Sequence, residues 1–298
     1  MSYQLTIEPL GETIEVGASQ TLLDACLRNG ISLPYACGHG LCGSCKVAVL
    51  AGDVDLGAAS SFALLDFERD EGAALACCAR LRSDATIEAD IDDEPDALRH
   101  PICDLVGRIA TIDRPTPDIA LMTIDLPEPG LRFQAGQYVN LTIPGCTGPR
   151  AFSIASAPSQ PTRIELHVRR VPGGAGTAYL HEKLAVGDSL ALSGPFGRFY
   201  VRRSNAVPLV FIAGGSGLSS PKSMVLDLLE TGYTQPIALF HGVRTAADVY
   251  CADVFAELAA RHPNFTYVAA LSQYDGAQPW TGATGFVHEV AAEHFEGT

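Results

Sequence analysis

Residues 36–47 read ACGHGLCGSCKV, three cysteines within nine positions, with a glycine after each of the first two. From Cys37 to Cys42 to Cys45 the spacing is C-x4-C-x2-C, which together with a distant fourth cysteine suits a binuclear iron–sulfur centre. Two later thiols could complete the set, Cys77 and Cys78 in LACCARL. Such a centre needs four soft thiolates, and Gly38, Gly40 and Gly43 let the loop turn backbone N–H groups toward the sulfurs. A structural zinc site also takes four cysteines, but it usually presents two C-x2-C knuckles, and here only Cys42 and Cys45 form one. His39 reads as a solvent-facing filler, since four thiolates suffice. Cys26, Cys103, Cys146 and Cys251 read as small buried hydrophobes.

Around this loop the chain looks globular. Its 298 residues are 47% apolar and 18% charged, enough for two or three domains with their own cores. No apolar run is long enough to span a bilayer, and Met1 to Leu10 alternates like a strand where a signal peptide would be basic and then apolar. These features, with an odd number of cysteines crowded on one loop, predict a cytoplasmic protein outside any membrane. The net charge of −14 is uneven: residues 1–98 hold 17 acidic against 5 basic residues, the rest 17 against 15. So acidic a surface repels nucleic acid and anionic lipid. Either the acids serve solubility, or they form a docking face for a protein partner.

Residues 3–16 alternate on both sides of a Pro-Leu-Gly turn and predict a hairpin. Thr21 then caps a helix over TLLDACLRN, with Asp24 placed as in a capping box and Gly30 as the stop. Strands follow at KVAVL (46–50) and ATIEADI (85–91). The linker composition of DDEPDALRHP (92–101) places a boundary near Asp96. Six strand-like runs separated by Pro or Gly turns (LVGRIATI, IALMTIDL, QYVNLTI, RAFSIA, RIELHVRRV, DSLALSG) predict an antiparallel barrel with one helix around Tyr179 to Leu184. From Leu209 the pattern alternates LVFIA, a helix, IALFHGV, a helix near Val254 to Arg261, and FTYVAAL, the signature of a parallel sheet. The helix after LVFIA is expected to be capped by Ser220 with Pro221 in its first turn, an anion-ready N-terminus.

Residues 1–95 resemble a plant-type ferredoxin domain, and that resemblance makes Cys77, after Leu75-Ala76, the fourth cluster ligand beside Cys37, Cys42 and Cys45. The run Arg150-Ala151-Phe152-Ser153 resembles the R-x-[YF]-S motif of the ferredoxin–NADP reductase superfamily. The likeness implies that Arg150 pairs the FAD pyrophosphate, Phe152 flanks the ring and Ser153, the catalytic candidate, approaches flavin N5. A bidentate guanidinium suits a diphosphate, and an aromatic face suits a planar ring. His167, Val168 and Arg169 resemble the strand lining the flavin, while Gly174, Gly176 and Thr177 resemble the turn into a pyrophosphate-binding helix. Gly214, Gly215, Ser216 and Gly217 resemble the loop holding the nicotinamide dinucleotide, although Ser220 stands where a G-x-G-x-x-G fingerprint has its third glycine. NADP-using relatives carry an arginine after a serine on the next strand but one. Here Leu271-Ser272-Gln273 has none, and Arg244 is the nearby cation, so NADH is expected.

The resemblance thus implies a multidomain α+β and α/β chain. It comprises a β-grasp ferredoxin domain (1–95), a linker (96–101), a six-stranded FAD barrel (102–206) and a parallel-sheet NAD-binding domain (207–298). The order resembles the reductase components of multicomponent oxygenases, and within them the phenol hydroxylase reductases. It implies electron flow from NADH through FAD and a [2Fe-2S] cluster to the diiron hydroxylase of an aromatic monooxygenase. Reductases of Rieske dioxygenases share the domains, and a carrier that does not oxidise NADH is the other alternative. In the family the third domain continues to a Cys-Gly-Pro-Pro strand and an aromatic terminus. This sequence stops at His294-Phe295-Glu296-Gly297-Thr298, so that domain is expected to be incomplete, with an uncovered sheet edge.

Overall fold

The computed structural model describes residues 1–91, 94–276 and 279–296, and the chain divides into two compact units, Met1–Cys103 and Asp104–Thr298. Asp92 and Asp93 of the linker run, with Gly297 and Thr298, lie outside the described residues.

In the first unit β1 (Ser2–Glu8) and β2 (Glu12–Gly17) form the expected antiparallel hairpin. Their alternation buries Leu5, Ile7, Ile14 and Val16 on one face. Helix α1 (Leu22–Arg28) covers that face with Leu22, Leu23, Ala25 and Cys26, each large apolar chain stabilising the unit by about 1.5–3 kcal/mol. The Thr21 hydroxyl accepts from the Asp24 N–H at the helix start. Only half of a capping box forms, because the Asp24 carboxylate turns to Gln20 and Arg28 instead. Then come β3 (Lys46–Ala51), β4 (Val54–Asp55), α2 (Asp66–Asp70), β5 (Ala73–Leu75), β6 (Arg80–Leu81) and β7 (Ala85–Glu88). Among the described residues the main sheet runs β2-β1-β7-β3-β5, with β7 parallel to β1, and β4 pairs with β6 apart from it. Residues 94–97 make a turn, and the Ile102 N–H donates to the Leu27 carbonyl, so the end of the linker run is tied to α1.

The second unit begins with the barrel. Strands β8 (Cys103–Asp113), β9 (Ile119–Asp125), β10 (Tyr138–Thr142), β11 (Arg150–Ser153), β12 (Arg163–Arg169) and β13 (Ser189–Phe196) occur where the alternation predicts them. They are ordered β11-β10-β13-β8-β9-β12, and a bridge between Ile154 and Leu166 brings the two ends of the sheet together. Helix α3 (Ala175–Glu182) starts four residues before the predicted Tyr179, directly behind Gly174.

The parallel sheet follows with β14 (Leu209–Gly214), α4 (Ser219–Glu230), β15 (Ile237–Val243), α5 (Ala252–Arg261), β16 (Phe265–Leu271), β17 (Ala283–Thr284) and α6 (Val287–Phe295). Its order is β14-β15-β16-β17, parallel throughout. Both faces of the sheet are covered, one by Val225 and Leu228 of α4 with Phe255 and Leu258 of α5, the other by Val290 and Ala291 of α6. The central strand β15 is therefore buried nearly throughout and reads as a continuous apolar run. The two elements that the sequence pattern does not announce, β17 and α6, lie in the stretch expected to be a truncated end. The rings of His294 and Phe295 instead pack on Phe240, at 5.3 and 5.9 Å between centroids.

Helix α4 departs from expectation in its first half. Leu218 occupies the cap position, after a 3-10 turn over Gly215–Leu218, and no side chain caps the helix. Ser220 is not the cap: its hydroxyl donates to the Gly136 carbonyl, and that of Ser223 to the Ser156 carbonyl at 2.6 Å. The run Ser219–Val225 is buried despite its polarity, since it satisfies carbonyls of the barrel. At this seam Gly136 has φ +100°, and a Cβ there would stand 2.0 Å from the Phe199 carbonyl oxygen and 2.2 Å from Met224 Cε. Gly136→Ala should therefore destabilise the second unit by about 3 kcal/mol or more, read as an earlier midpoint in urea unfolding.

Candidate functional site

The cysteine loop between α1 and β3 has Gly38, Gly40 and Gly43 at φ +73°, +83° and +75°, a left-handed conformation that L side chains resist. It turns N–H groups onto sulfur. Cys37 N–H donates to Cys42 Sγ at 3.5 Å and Leu41 N–H to Cys37 Sγ at 3.4 Å. The Ser44 hydroxyl and the Cys37 N–H hold the Cys42 thiol down to about 6, a ligand poised as thiolate. Across the loop Cys45 meets Cys77, whose thiol holds Cys45 down to about 7 while Cys77 itself is pushed up by sharing the proton. The four thiols thus fall into two pairs, Cys37 with Cys42 and Cys45 with Cys77. Two pairs fit a centre with two irons, each taking two thiolates.

Cys78 lies 3.7 Å from the Cys77 sulfur. Its sulfur would be 2.6 Å from a Cβ at Gly40, so it packs against the loop at that glycine. Of the four remaining cysteines, Cys26 is buried as expected, but Cys103, Cys146 and Cys251 are only half-buried. Cys77→Ser is expected to abolish the visible iron–sulfur absorption and Cys78→Ser largely to retain it; the reverse pattern would move the fourth ligand to Cys78.

In the second unit a cleft of about 520 Å³ is lined by Arg150, Ala151, Phe152 and Ser153 of β11, His167 and Arg169 of β12, and Gly174, Gly176 and Thr177 at the start of α3. Ser216 and Gly217 close it from the sheet side. Val168 lies on the opposite face of β12, fully buried, and lines neither this cleft nor the next, because side chains alternate along a strand. No side chain caps α3 at Gly174, so its first N–H groups face the cleft as an anion site. A Cβ at Gly176 would press on Ile143 at 3.3 Å and Arg150 Cγ at 3.5 Å, so the glycine lets the helix approach the guanidinium. Arg150 Nη1 donates to the carbonyls of Thr147, Gly148 and Pro149, which fixes the arm of the fork beside the helix end. Cation, helix N-terminus, aromatic ring and hydroxyl in one cleft fit a flavin diphosphate.

A second cleft of about 250 Å³ holds Gly214, Gly215 and Arg244, together with Asp118, Asp248, Ser272 and Phe286. The turn Gly214–Gly217 is the wall between the two clefts. Arg244 lies 3.7 Å from Asp248, and beyond it a smaller recess is bounded by Gln273, Tyr274 and Asp275.

Behind that wall runs a buried polar chain that the sequence reading missed. Lys222 Nζ donates to Glu165 Oε1 at 2.5 Å, and the same oxygen is 2.7 Å from His167 Nε2. His167 Nδ1 is 3.1 Å from Tyr250 Oη, which is 3.2 Å from the Gly215 carbonyl. His241 Nε2 reaches that carbonyl at 3.3 Å, and Tyr267 Oη lies 3.4 Å from His241 Nδ1. Burial works to raise the Glu165 carboxyl, but the His167 hydrogen bond and the Lys222 charge outweigh it and hold the group down to about 2. Burial lowers His167, against the pull of Glu165, and lowers His241 to about 4. The i, i+2 spacing of Glu165 and His167 on a strand was the available signal, as it places both on one face.

Three family models match the chain: the 2Fe-2S iron–sulfur cluster binding domain over residues 5–82, the oxidoreductase FAD-binding domain over 107–200 and the oxidoreductase NAD-binding domain over 211–298. Together they define an iron–sulfur flavoprotein oxidoreductase with an NAD-binding module. The phenol 2-monooxygenase reductase component DmpP of Pseudomonas sp. (strain CF600) is 56% identical, over 100% of this chain and 84% of its own length. The phenol hydroxylase P5 protein of Acinetobacter pittii (strain PHEA-2) is 53% identical, over 99% and 84%. The crystal structure of the Amycolatopsis cytochrome P-450 reductase GcoB superposes with a TM-score of 0.88 at 36% identity, over 99% of this chain and 87% of that one. The chain belongs to the family of phenol hydroxylase reductase components.

The low value of His241 sets a pH limit. An unfolded histidine takes up its proton near 6.5 but the folded one only near 4, so stability is whole above about pH 6.5 and is lost as pH falls toward 4. The loss from this group is about 3 kcal/mol. His241→Gln keeps a donor for Gly215 without titrating in that range, and should flatten the acid slope of the thermal midpoint between pH 6.5 and 4.

Proposed function

We propose that this chain oxidises NADH and passes the electrons through FAD and a [2Fe-2S] cluster to the diiron hydroxylase of a phenol- or toluene-type aromatic monooxygenase. The observation that carries this reading is the shared wall: the Gly214–Gly217 turn borders both clefts of the second unit, so a dinucleotide and a flavin would meet across it. FAD, when bound, accepts the hydride pair and gives electrons up singly, as a one-electron cluster requires.

The chain's own residues supply binding and placement. Arg150 and the N-terminus of α3 hold the flavin pyrophosphate, with Gly174, Gly176 and Thr177 allowing the close approach. Phe152 presents its ring to the flavin, and Ser153 on the same strand is the hydroxyl for the reacting edge. Arg169 borders both clefts and contributes positive charge to either diphosphate. Val168 contributes backbone only. The glycines of the Gly214–Gly217 turn let the dinucleotide backbone come close, and Ser216 faces the flavin side. Cys37, Cys42, Cys45 and Cys77 hold the cluster in the unit that also carries most of the net negative charge. Beside the loop Phe62 is 94% and Leu41 63% exposed, with Asp66 and Asp70 nearby on α2, an apolar centre with an acidic rim suited to a partner protein.

The preference for NADH follows from charge. A 2′-phosphate would meet the carboxylates of Asp248 and Asp275 with Arg244 already beside one of them. Anaerobic titration should show NADH bleaching flavin and cluster together, with kcat/KM for NADPH lower by about 100-fold. Retained FAD without bleaching would make the chain a carrier that does not oxidise NADH, and equal efficiency would overturn the cofactor assignment. The ferredoxin reductase of carbazole 1,9a-dioxygenase shares the fold, with a TM-score of 0.77 at 27% identity. Reconstitution with a phenol hydroxylase and with a dioxygenase, comparing turnover, separates the two partners.

A further inference from the structure

The chain Lys222, Glu165, His167, Tyr250 joins three elements that are distant in sequence: β12 of the barrel, α4, and the segment entering α5. It ends on a single backbone atom, the carbonyl oxygen of Gly215, which lies in the wall between the clefts. Its hydrogen-bond directions are constrained. Glu165 is a carboxylate and accepts only, so His167 Nε2 must be the protonated nitrogen of the neutral ring, and Nδ1 is an acceptor facing the Tyr250 hydroxyl. Tyr250 has one proton, for which His167 Nδ1 and the Gly215 carbonyl compete. The same carbonyl receives the Nε2–H of His241, whose Nδ1 accepts from Tyr267.

Buried ion pairs contribute little net stability, because desolvation offsets their attraction. What the Lys222–Glu165 pair does supply is a fixed tautomer and a fixed ring for His167. The backbone also carries a cost here. Cys251, next to Tyr250, has φ +57°, a conformation that a residue with a Cβ holds only where its surroundings impose it. Tyr250 is itself locked between the rings of His167 and His241, edge-on at 5.2 and 5.3 Å. A rigid anchor is therefore built for a glycine turn that has no side chain to hold it: a Cβ at Gly214, Gly215 or Gly217 would meet nothing within 4 Å.

We propose that Tyr250 is a positioning residue for the hydride donor: its hydroxyl, with the ring set edge-on against His167, holds the Gly215 carbonyl and with it the turn that separates the two clefts. The inference rests on the reading of the two clefts as FAD and NADH sites. The pinned turn seats the dinucleotide at the right depth over the flavin, and without the pin the donor binds loosely while the flavin stays in place.

The test uses the full chain loaded with FAD and cluster. Tyr250→Phe keeps the ring and removes the hydroxyl. It should retain the FAD spectrum and the thermal midpoint, raise the NAD+ dissociation constant and the KM for NADH roughly 10-fold, and leave kcat within about threefold. His167→Ala leaves the Tyr250 proton to the Gly215 carbonyl alone, so it should hold the NAD+ dissociation constant within about threefold, and the double variant should bind as weakly as Tyr250→Phe. Unchanged NAD+ affinity in Tyr250→Phe, loss of FAD in place of NAD+ affinity, or additive effects in the double variant would each overturn the proposal. If the unaltered protein fails to bleach with NADH, the reading of the clefts is wrong instead, and this inference falls with it.

Discussion

The second unit turns on a carboxylate drawn largely out of water. Glu165 sits on a barrel strand, and its two partners come from different directions: Lys222 from a helix of the parallel sheet and His167 from its own strand. A buried charge of this kind must be matched or it neutralises, so the barrel and the helix can meet in only one register. Ser220 and Ser223 add neutral hydrogen bonds to the same contact. The result is a helix whose first half is polar in sequence and buried in fact, with the Ser220 and Ser223 hydroxyls spent on barrel carbonyls. Both clefts inherit their shape from that docking, since the turn before the helix is their common wall.

The strands of the barrel and of the parallel sheet were legible because each has a strong local signature. Alternation in IALMTIDL and RIELHVRRV, and an unbroken apolar run in IALFHGV, report burial on one face or on both. That Arg150, Phe152 and Ser153 share one cleft was legible for a similar reason, as they belong to one short strand. Illegible were the features that depend on partners far along the chain. Nothing near Ser220 announces that Gly136 will take its hydroxyl and leave the helix uncapped, and nothing near Tyr250 announces His167. The last helix was hidden for another reason. It is only nine residues long, and its packing partner Phe240 lies some fifty residues earlier.

In the cysteine loop, spacing and geometry divide the work. The C-x4-C-x2-C spacing marks three candidate ligands, and the resemblance carried by Leu75-Ala76-Cys77 offers the fourth. In the turn after β5, Cys77 lies against Cys45 and Cys78 lies beside Gly40. The bare turn at Gly40 is what leaves room for that second sulfur, and the same left-handed backbone aims N–H groups at the first pair. One conformational feature thus serves both the metal side and the packing side of the loop.

The approach of Gly136 to Phe199 and Met224 bears on how such reductases could exchange parts. Barrel and parallel sheet look like interchangeable modules when each is compared by fold. The atoms at their seam are cut to one another, however, with a missing Cβ on one side and a methionine methyl on the other. A hybrid that joined this barrel to another family member's sheet would carry over the strand pattern and lose the seam fit. Recombination within the family is therefore expected to succeed when the crossover lies outside the second unit, so that barrel and sheet travel together.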